Sequence, residues 1–262
     1  MAETKKRGRD LGLPFTGQPG ENNAITDVHG VEVGYTTVTR GKEPGDTGPG
    51  VQTGVTAILP RGKTKTPKYV YAGMHALNGN GEMTGAHWVH DAGYFLGPVC
   101  ITNTHSVGVV HKAATKWIVD QYAEAFTGRH MFALPVVAET YDGVLNDING
   151  FHVTEEHTLA ALNSASGGAI AEGNVGGGNG MLTYDFKGGT GTSYRIINIG
   201  EKQYTVGVLV QSNFGRREEL TVCGVLVGQH MPENTIFEQI KETEFGSIIV
   251  VIATDAPLLP SQ

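Results

Sequence analysis

Five β-branched residues run without a polar interruption from Ile248 to Ile252. Such a run fits a strand buried on both faces. Near the other end, Val31, Val33 and Tyr35 alternate with Glu32 and Gly34, the period of a half-buried strand. Val51 to Leu59 reads as its hairpin partner across the turn-rich loop of residues 41–50. Tyr69 to His75, the buried run Val99 to Thr102, and Leu134 to Ala138 predict three more strands. Helices are predicted over 87–95, over 109–126 with Gly128 just beyond, and over 154–164. In the last, Thr154 is placed to cap the N-terminus, with Glu155 and Glu156 in the first turn. The glycine-dense segment 172–181 has no following Lys-Ser or Lys-Thr, so it is not a phosphate loop. Strands rather than a helix follow it, which excludes a dinucleotide fingerprint. Three strands of an antiparallel meander are expected at 191–199, 204–211 and 221–227. No internal repeat divides the chain.

Composition narrows the class. With 262 residues, 39% hydrophobic and 17% charged, the chain can bury a substantial core and carries no disorder signature. A net charge of −7 argues against a nucleic-acid partner. The basic cluster at residues 5–9 reads as a solvated tail. Cys100 and Cys223 lie in apolar, strand-like runs and are expected to be buried free thiols. No apolar run reaches the ~18 residues of a membrane span, and no apolar signal core opens the chain. The expectation is a soluble, cytoplasmic protein. His87 and His90 are three apart, without a third ligand or a His-Glu-x-x-His pattern, so they are read as packing residues. No metal and no cofactor are called for.

Three places carry candidate chemistry. Gly246 and Ser247 stand at the mouth of the β-branched run. They make a turn, or Ser247 is a nucleophile. Were the Gly246–Ser247 bond cut, the α-amine of Ser247 would lie beside its own hydroxyl. That amine titrates at about pH 7.7–8.0 and can take the hydroxyl proton. Glu139-Thr140-Tyr141-Asp142-Gly143 follows a buried strand directly, a position suited to a site or to a turn. Asn213 closes a meander strand, either as a turn residue or as a donor to a developing oxyanion.

Together, several segments resemble the L-aminopeptidase/D-amidase-esterase family, which includes the β-peptidyl aminopeptidases. They are Asn23-Ala24-Ile25-Thr26-Asp27-Val28, residues 138–143, Asn146-Asp147-Ile148-Asn149-Gly150-Phe151-His152 and Gly173-Asn174-Val175-Gly176-Gly177-Gly178. Phe186 to Ser193, Val210 to Gly215 and Ser247 to Pro260 complete the set, in the family's order along nearly the whole chain. The resemblance implies an α/β/β/α sandwich of two stacked, largely antiparallel sheets, similar to the N-terminal-nucleophile hydrolases but differently connected. It implies a single domain over 1–262 that cuts itself into 1–246 and a second polypeptide starting at 247. It also implies the roles. Ser247 is the nucleophile, Asn213 the oxyanion donor, Tyr141 a site residue binding substrate or oxyanion, and Glu139 an anchor for the substrate's free amino group. The substrate is a peptide or amino-acid amide with a free amino terminus, and the assembly a homo-oligomer, by the family a tetramer. Family members continue well beyond the Pro-Leu-Leu-Pro segment, with a second site Ser and an acid, so this chain is expected to be C-terminally incomplete. Two other readings accompany this one. One is a related acyltransferase, against which the Ser rather than Thr nucleophile counts. The other is a non-catalytic homologue that keeps the fold without self-cleavage.

Overall fold

The computed structural model describes residues 6–42, 48–236 and 246–262. Its strands are β1 (Glu32–Arg40), β2 (Val51–Leu59), β3 (Val70–Tyr71), β4 (Tyr94–Phe95), β5 (Val99–Asn103) and β6 (Val136–Thr140), then β7 (Leu182–Thr183), β8 (Phe186–Lys187), β9 (Thr190–Ile199), β10 (Lys202–Phe214) and β11 (Gly246–Thr254). Its α-helices are α1 (Ala86–Ala92), α2 (Val107–Gln121), α3 (Ala123–Arg129) and α4 (Glu155–Ser164). Two main sheets form. One runs β1-β2-β5-β6, antiparallel except for the parallel pair β5 and β6, whose crossover is α2 and α3. The other is the antiparallel sheet β11-β10-β9.

The strand period sorts side chains into two cores. Val55, Ala57 and Leu59 of β2, Cys100 of β5 and Val137 of β6 face α2 and α4, meeting Val110, Ala114, Ile118, Ala161 and Leu162. Burial in that layer pushes the Cys100 thiol up to about 12, so it stays protonated and inert. The alternate residues Val33, Ile58 and Ile101 face the second sheet and pack with Ile25, Leu209, Ile249 and Val251. The layers therefore run helix, sheet, sheet, the expected α/β class with two stacked sheets.

The glycine-dense segment lies between the sheets. The turn Gly176–Gly178 is buried there, and a Cβ on Gly177 would meet both Gln211 Oε1 and the Ile101 carbonyl at 2.6 Å. Its amides are satisfied from the sheet. Gly176 N donates to Thr37 Oγ1 (2.8 Å) and Gly177 N to Thr56 Oγ1 (3.1 Å). Glycine is needed here for closeness, since the gap admits backbone but no side chain.

Several expectations are corrected. The β-branched run is not a strand buried on both faces. β11 is an edge strand paired with β10 alone among the described residues, and Ile248, Val250 and Ile252 are 37%, 48% and 65% exposed. Within the run, Ile249 and Val251 turn into the inter-sheet core, as does Ala253 further along β11. Burial on two faces falls to β2, which has a strand on each side and a layer on each face. The strand expected at 221–227 is a tight turn. Val222 and Val225 exchange backbone hydrogen bonds around Cys223 and Gly224, both at positive φ (49° and 85°). That geometry leaves Cys223 exposed, not buried. The strand expected at 69–75 shrinks to β3. The helix expected over 109–126 breaks at Tyr122, which leaves helical dihedrals as its ring is buried and its hydroxyl meets Thr64 Oγ1. Within the basic cluster, Lys5 lies outside the described residues, but Arg7 is not solvated tail. Its guanidinium pairs with Glu172 at 2.6 Å and donates to the carbonyls of Asn22 and Thr192. The loop 41–50 lies outside the described residues at 43–47. The helix over 154–164 stands, capped by Thr154.

Candidate active site

The two sheets bring four strand ends together. β5 and β6 are parallel and in register at Asn103 and Thr140, so both finish at one rim. In the other sheet, Asn213 near the end of β10 pairs with Ser247 near the start of β11. Strand ends of this kind free side chains from the ladder while the sheet holds them in place.

Ser247 Oγ receives two donors at that rim. Asn213 Nδ2 donates to it at 3.0 Å and the main-chain N–H of Tyr141 at 3.3 Å. Two donors occupy the two lone pairs of the hydroxyl, which turns its proton away from both. The Asn213 amide is itself oriented. Its Oδ1 accepts from Leu182 N (3.0 Å), and the second Nδ2 proton goes to the Tyr141 carbonyl (2.8 Å). The short hairpin β7–β8 thus fixes which end of the amide faces Ser247.

Tyr141 reaches the site through its backbone. The residue is 42% exposed, and its phenol oxygen lies against Gly143, where an added Cβ would approach it to 2.4 Å. Glu139, two residues earlier, is 7% exposed. Its Oε2 accepts from Thr104 Oγ1 (2.5 Å) and its Oε1 from Glu82 N (3.1 Å). Among the described residues no cation pairs with it. The structure therefore brings together Ser247, Asn213 and the Tyr141 backbone, with Glu139 in β6, two residues before Tyr141, but bonded to the 82 and 104 loops.

Behind this rim is a buried polar network. Asp142 is fully buried, and its Oδ1 accepts from Asn146 Nδ2 (2.9 Å). Asn146 Oδ1 in turn accepts from Gln52 N (3.1 Å), tying the 141–147 loop to β2. Burial pushes the Asp142 carboxyl above its ordinary value, opposed by polar groups of Thr53, Asn146 and Asn103. In the inter-sheet space Gln211 Nε2 donates to Thr140 Oγ1 (2.7 Å), a polar cross-link between the sheets. Sequence reasoning did not single out Leu182, Thr104, Glu82 or this network. A usable signal was present for Thr104, since Asn103-Thr104-His105-Ser106 is a polar run following a buried strand, as Glu139 to Gly143 is. The contributions of Leu182 and Glu82 are backbone N–H groups, which leave no mark in a sequence.

The model of peptidase family S58 matches residues 23–262. The chain belongs to peptidase family S58. It is 55% identical to the beta-peptidyl aminopeptidase BapA of Sphingosinicella microcystinivorans, covering 98% of this chain and 66% of that protein. The beta-peptidyl aminopeptidase BapA of Sphingosinicella xenopeptidilytica is 50% identical, with 98% and 65% covered. Among solved structures, the L-aminopeptidase D-Ala-esterase/amidase from Ochrobactrum anthropi superposes with a TM-score of 0.92 at 54% identity, over 98% of this chain and 69% of that one. That protein is a prototype of the serine aminopeptidases and a variant of the Ntn hydrolase fold, so the family S58 chain described here has that fold variant. The chain spans about two thirds of the length of the relatives it matches, 66% and 65% of the two beta-peptidyl aminopeptidases. No helix among the described residues is long and apolar enough to cross a membrane.

Proposed function

We propose that the protein carrying this chain is a self-processing serine aminopeptidase and amidase that works through an acyl-enzyme on Ser247. The observation that carries the reading is the pair of donors, Asn213 Nδ2 and Tyr141 N–H, aimed at Ser247 Oγ. A carbonyl carbon bonded to Oγ places its oxyanion two bonds from that oxygen, within reach of the same two donors. One such donor contributes roughly 3–4 kcal/mol to an acyl transfer. The relatives named above are aminopeptidases, amidases or esterases by name, which supports the same chemistry.

In the first step Ser247 Oγ attacks the Gly246 carbonyl carbon. The Oγ–C bond forms, the C–N bond to Ser247 breaks, and the Ser247 nitrogen takes the hydroxyl proton. Water then hydrolyses the ester, leaving the Gly246 carboxylate and a Ser247 with free amine and hydroxyl. The products are chains 1–246 and one beginning at Ser247. In the mature site that amine, near neutral pKa, takes the Oγ proton during attack on substrate and returns it to the leaving amine. Glu139 holds the substrate's ammonium group, the counter-charge a free amino terminus requires. Water, not a second amine, accepts the acyl group. A cytoplasmic homo-oligomer completes the reading, and light scattering after size-exclusion chromatography tests the assembly.

Mass spectrometry and amino-acid release from peptides and amides test the chemistry in the complete protein. The parent yields two polypeptides and releases amino acids into water in the presence of an added amine. Ser247→Ala remains one polypeptide and releases none, and Asn213→Ala cuts and hydrolyses at least about 100-fold more slowly. Normal cutting and parental hydrolysis by Ser247→Ala overturns the mechanism.

A further inference from the structure

Glu139 is a carboxylate taken almost wholly out of water, yet no cation pairs with it among the described residues. A buried charge of that kind is costly unless hydrogen-bonded or met by an opposite charge. Each of its oxygens has one donor, Glu82 N on Oε1 and Thr104 Oγ1 on Oε2. An ionised carboxylate has about four acceptor sites, so roughly two remain for a ligand.

Thr104 is the unusual member of this set. It is the first residue after β5, which runs parallel to β6 and in register with it at Asn103 and Thr140. The register brings its hydroxyl level with the end of the strand that carries Glu139. The residue is exposed, and neither the turn it opens nor α2 after it has a side-chain cap. Its hydroxyl donates to Glu139 at 2.5 Å, and no helix cap or core contact explains that bond. A hydroxyl meeting a carboxylate donates to it, so this bond fixes one oxygen in place.

We propose that Thr104 is a positioning residue for recognition of the substrate's ammonium group. It holds the Glu139 carboxylate aimed, so that the unfilled acceptor sites face a protonated primary amine. The inference rests on the function proposed above and names what orients its amine anchor. Because the ammonium is bound alike before and during the chemical step, loss of this orientation raises KM and leaves kcat in place.

Thr104→Val keeps the shape and deletes the donor. In the complete protein, with an amino-acid anilide as substrate, KM is expected to rise about tenfold, the effect of losing one hydrogen bond to a charged group. The kcat should stay within about twofold, and self-cutting should be unchanged. Thr104→Ser, which restores a hydroxyl, should return KM to the parental value. Inhibition by the amino-acid amide should weaken in Thr104→Val, while inhibition by the matching hydroxy-acid amide, which has no ammonium, should not change. An unchanged KM in Thr104→Val, a loss confined to kcat, or a Ser variant as impaired as Val overturns the role of Thr104 alone. A parent that releases no amino acid in a Ser247-dependent manner refutes the proposed function and this inference with it.

Discussion

Replacing Gly34 by Ala tests the contact between β1 and α4 that holds the helix layer on its sheet. Gly34 sits between Val33 and Tyr35, which face the other sheet, so its own Cα points at the helix layer. A Cβ there would lie 2.1 Å from the Ala161 carbonyl oxygen, 2.7 Å from Ala165 N and 2.9 Å from Ala165 Cα. An ordinary contact begins at 3.4 Å, so β1 and α4 must part by about 1.3 Å at their closest point. All three obstacles are main chain, so no side-chain rotation relieves them. Overpacking of this kind costs about 1–3 kcal/mol, and the rigid surroundings put Gly34→Ala at the upper end, about 3 kcal/mol. Gly191 of β9 is the matched control. It is also a strand glycine, with open space where its Cβ would stand. Gly191→Ala should be neutral or stabilising by about 0.4–1 kcal/mol, because it narrows the unfolded ensemble. Urea unfolding followed by far-UV circular dichroism measures both. With a slope of about 3 kcal/mol per molar, the Gly34→Ala midpoint should fall by about 1 M while the Gly191→Ala midpoint holds or rises. Equal midpoints for the two variants, or a Gly34→Ala shift below about 0.2 M, would refute the packing argument.

The two faces of β11 should answer differently. Ile252→Thr on the exposed face should change stability by less than about 0.5 kcal/mol, whereas Val251→Ala on the core face should cost about 1–2 kcal/mol. Equal costs in urea melts would contradict the alternation. Burial raises the native pKa of Asp142 above its unfolded value near 3.9, so its contribution to stability is fully present below that value and is lost as pH rises through the raised native pKa. Asp142→Asn should remove this segment of the pH dependence and gain on the parent as pH increases across that window. Parallel stability–pH curves for the two proteins would show that the carboxyl carries no burial penalty.

The sequence by itself determined the local elements whose signals are local. The alternation at Val31, Val33 and Tyr35, the hairpin partner Val51 to Leu59, and the helix capped by Thr154 are set by residues a few positions apart. The motif order along the chain also identified the family, and with it the two stacked sheets. The five-residue β-branched run was misleading, because its composition says only that a strand forms there. Whether one face or two is covered depends on what lies across the sheet, and among the described residues β11 has one partner and one packed face. The apolar run 221–227 likewise lacked any local mark of the positive φ that folds Cys223 and Gly224 into a turn. The site divides in the same way. The candidate residues Ser247, Asn213, Tyr141 and Glu139 were legible as residue types in motifs, but the juxtaposition of Ser247, Asn213 and the Tyr141 backbone comes from the pairing of β10 with β11 and the shared rim of β5 and β6. Only the tertiary structure decided that Tyr141 offers its main-chain N–H, that Leu182 N orients the Asn213 amide, and that Thr104 holds Glu139. Backbone donors carry no sequence signature, and a hydroxyl 35 positions away acquires a partner only once two parallel strands end side by side.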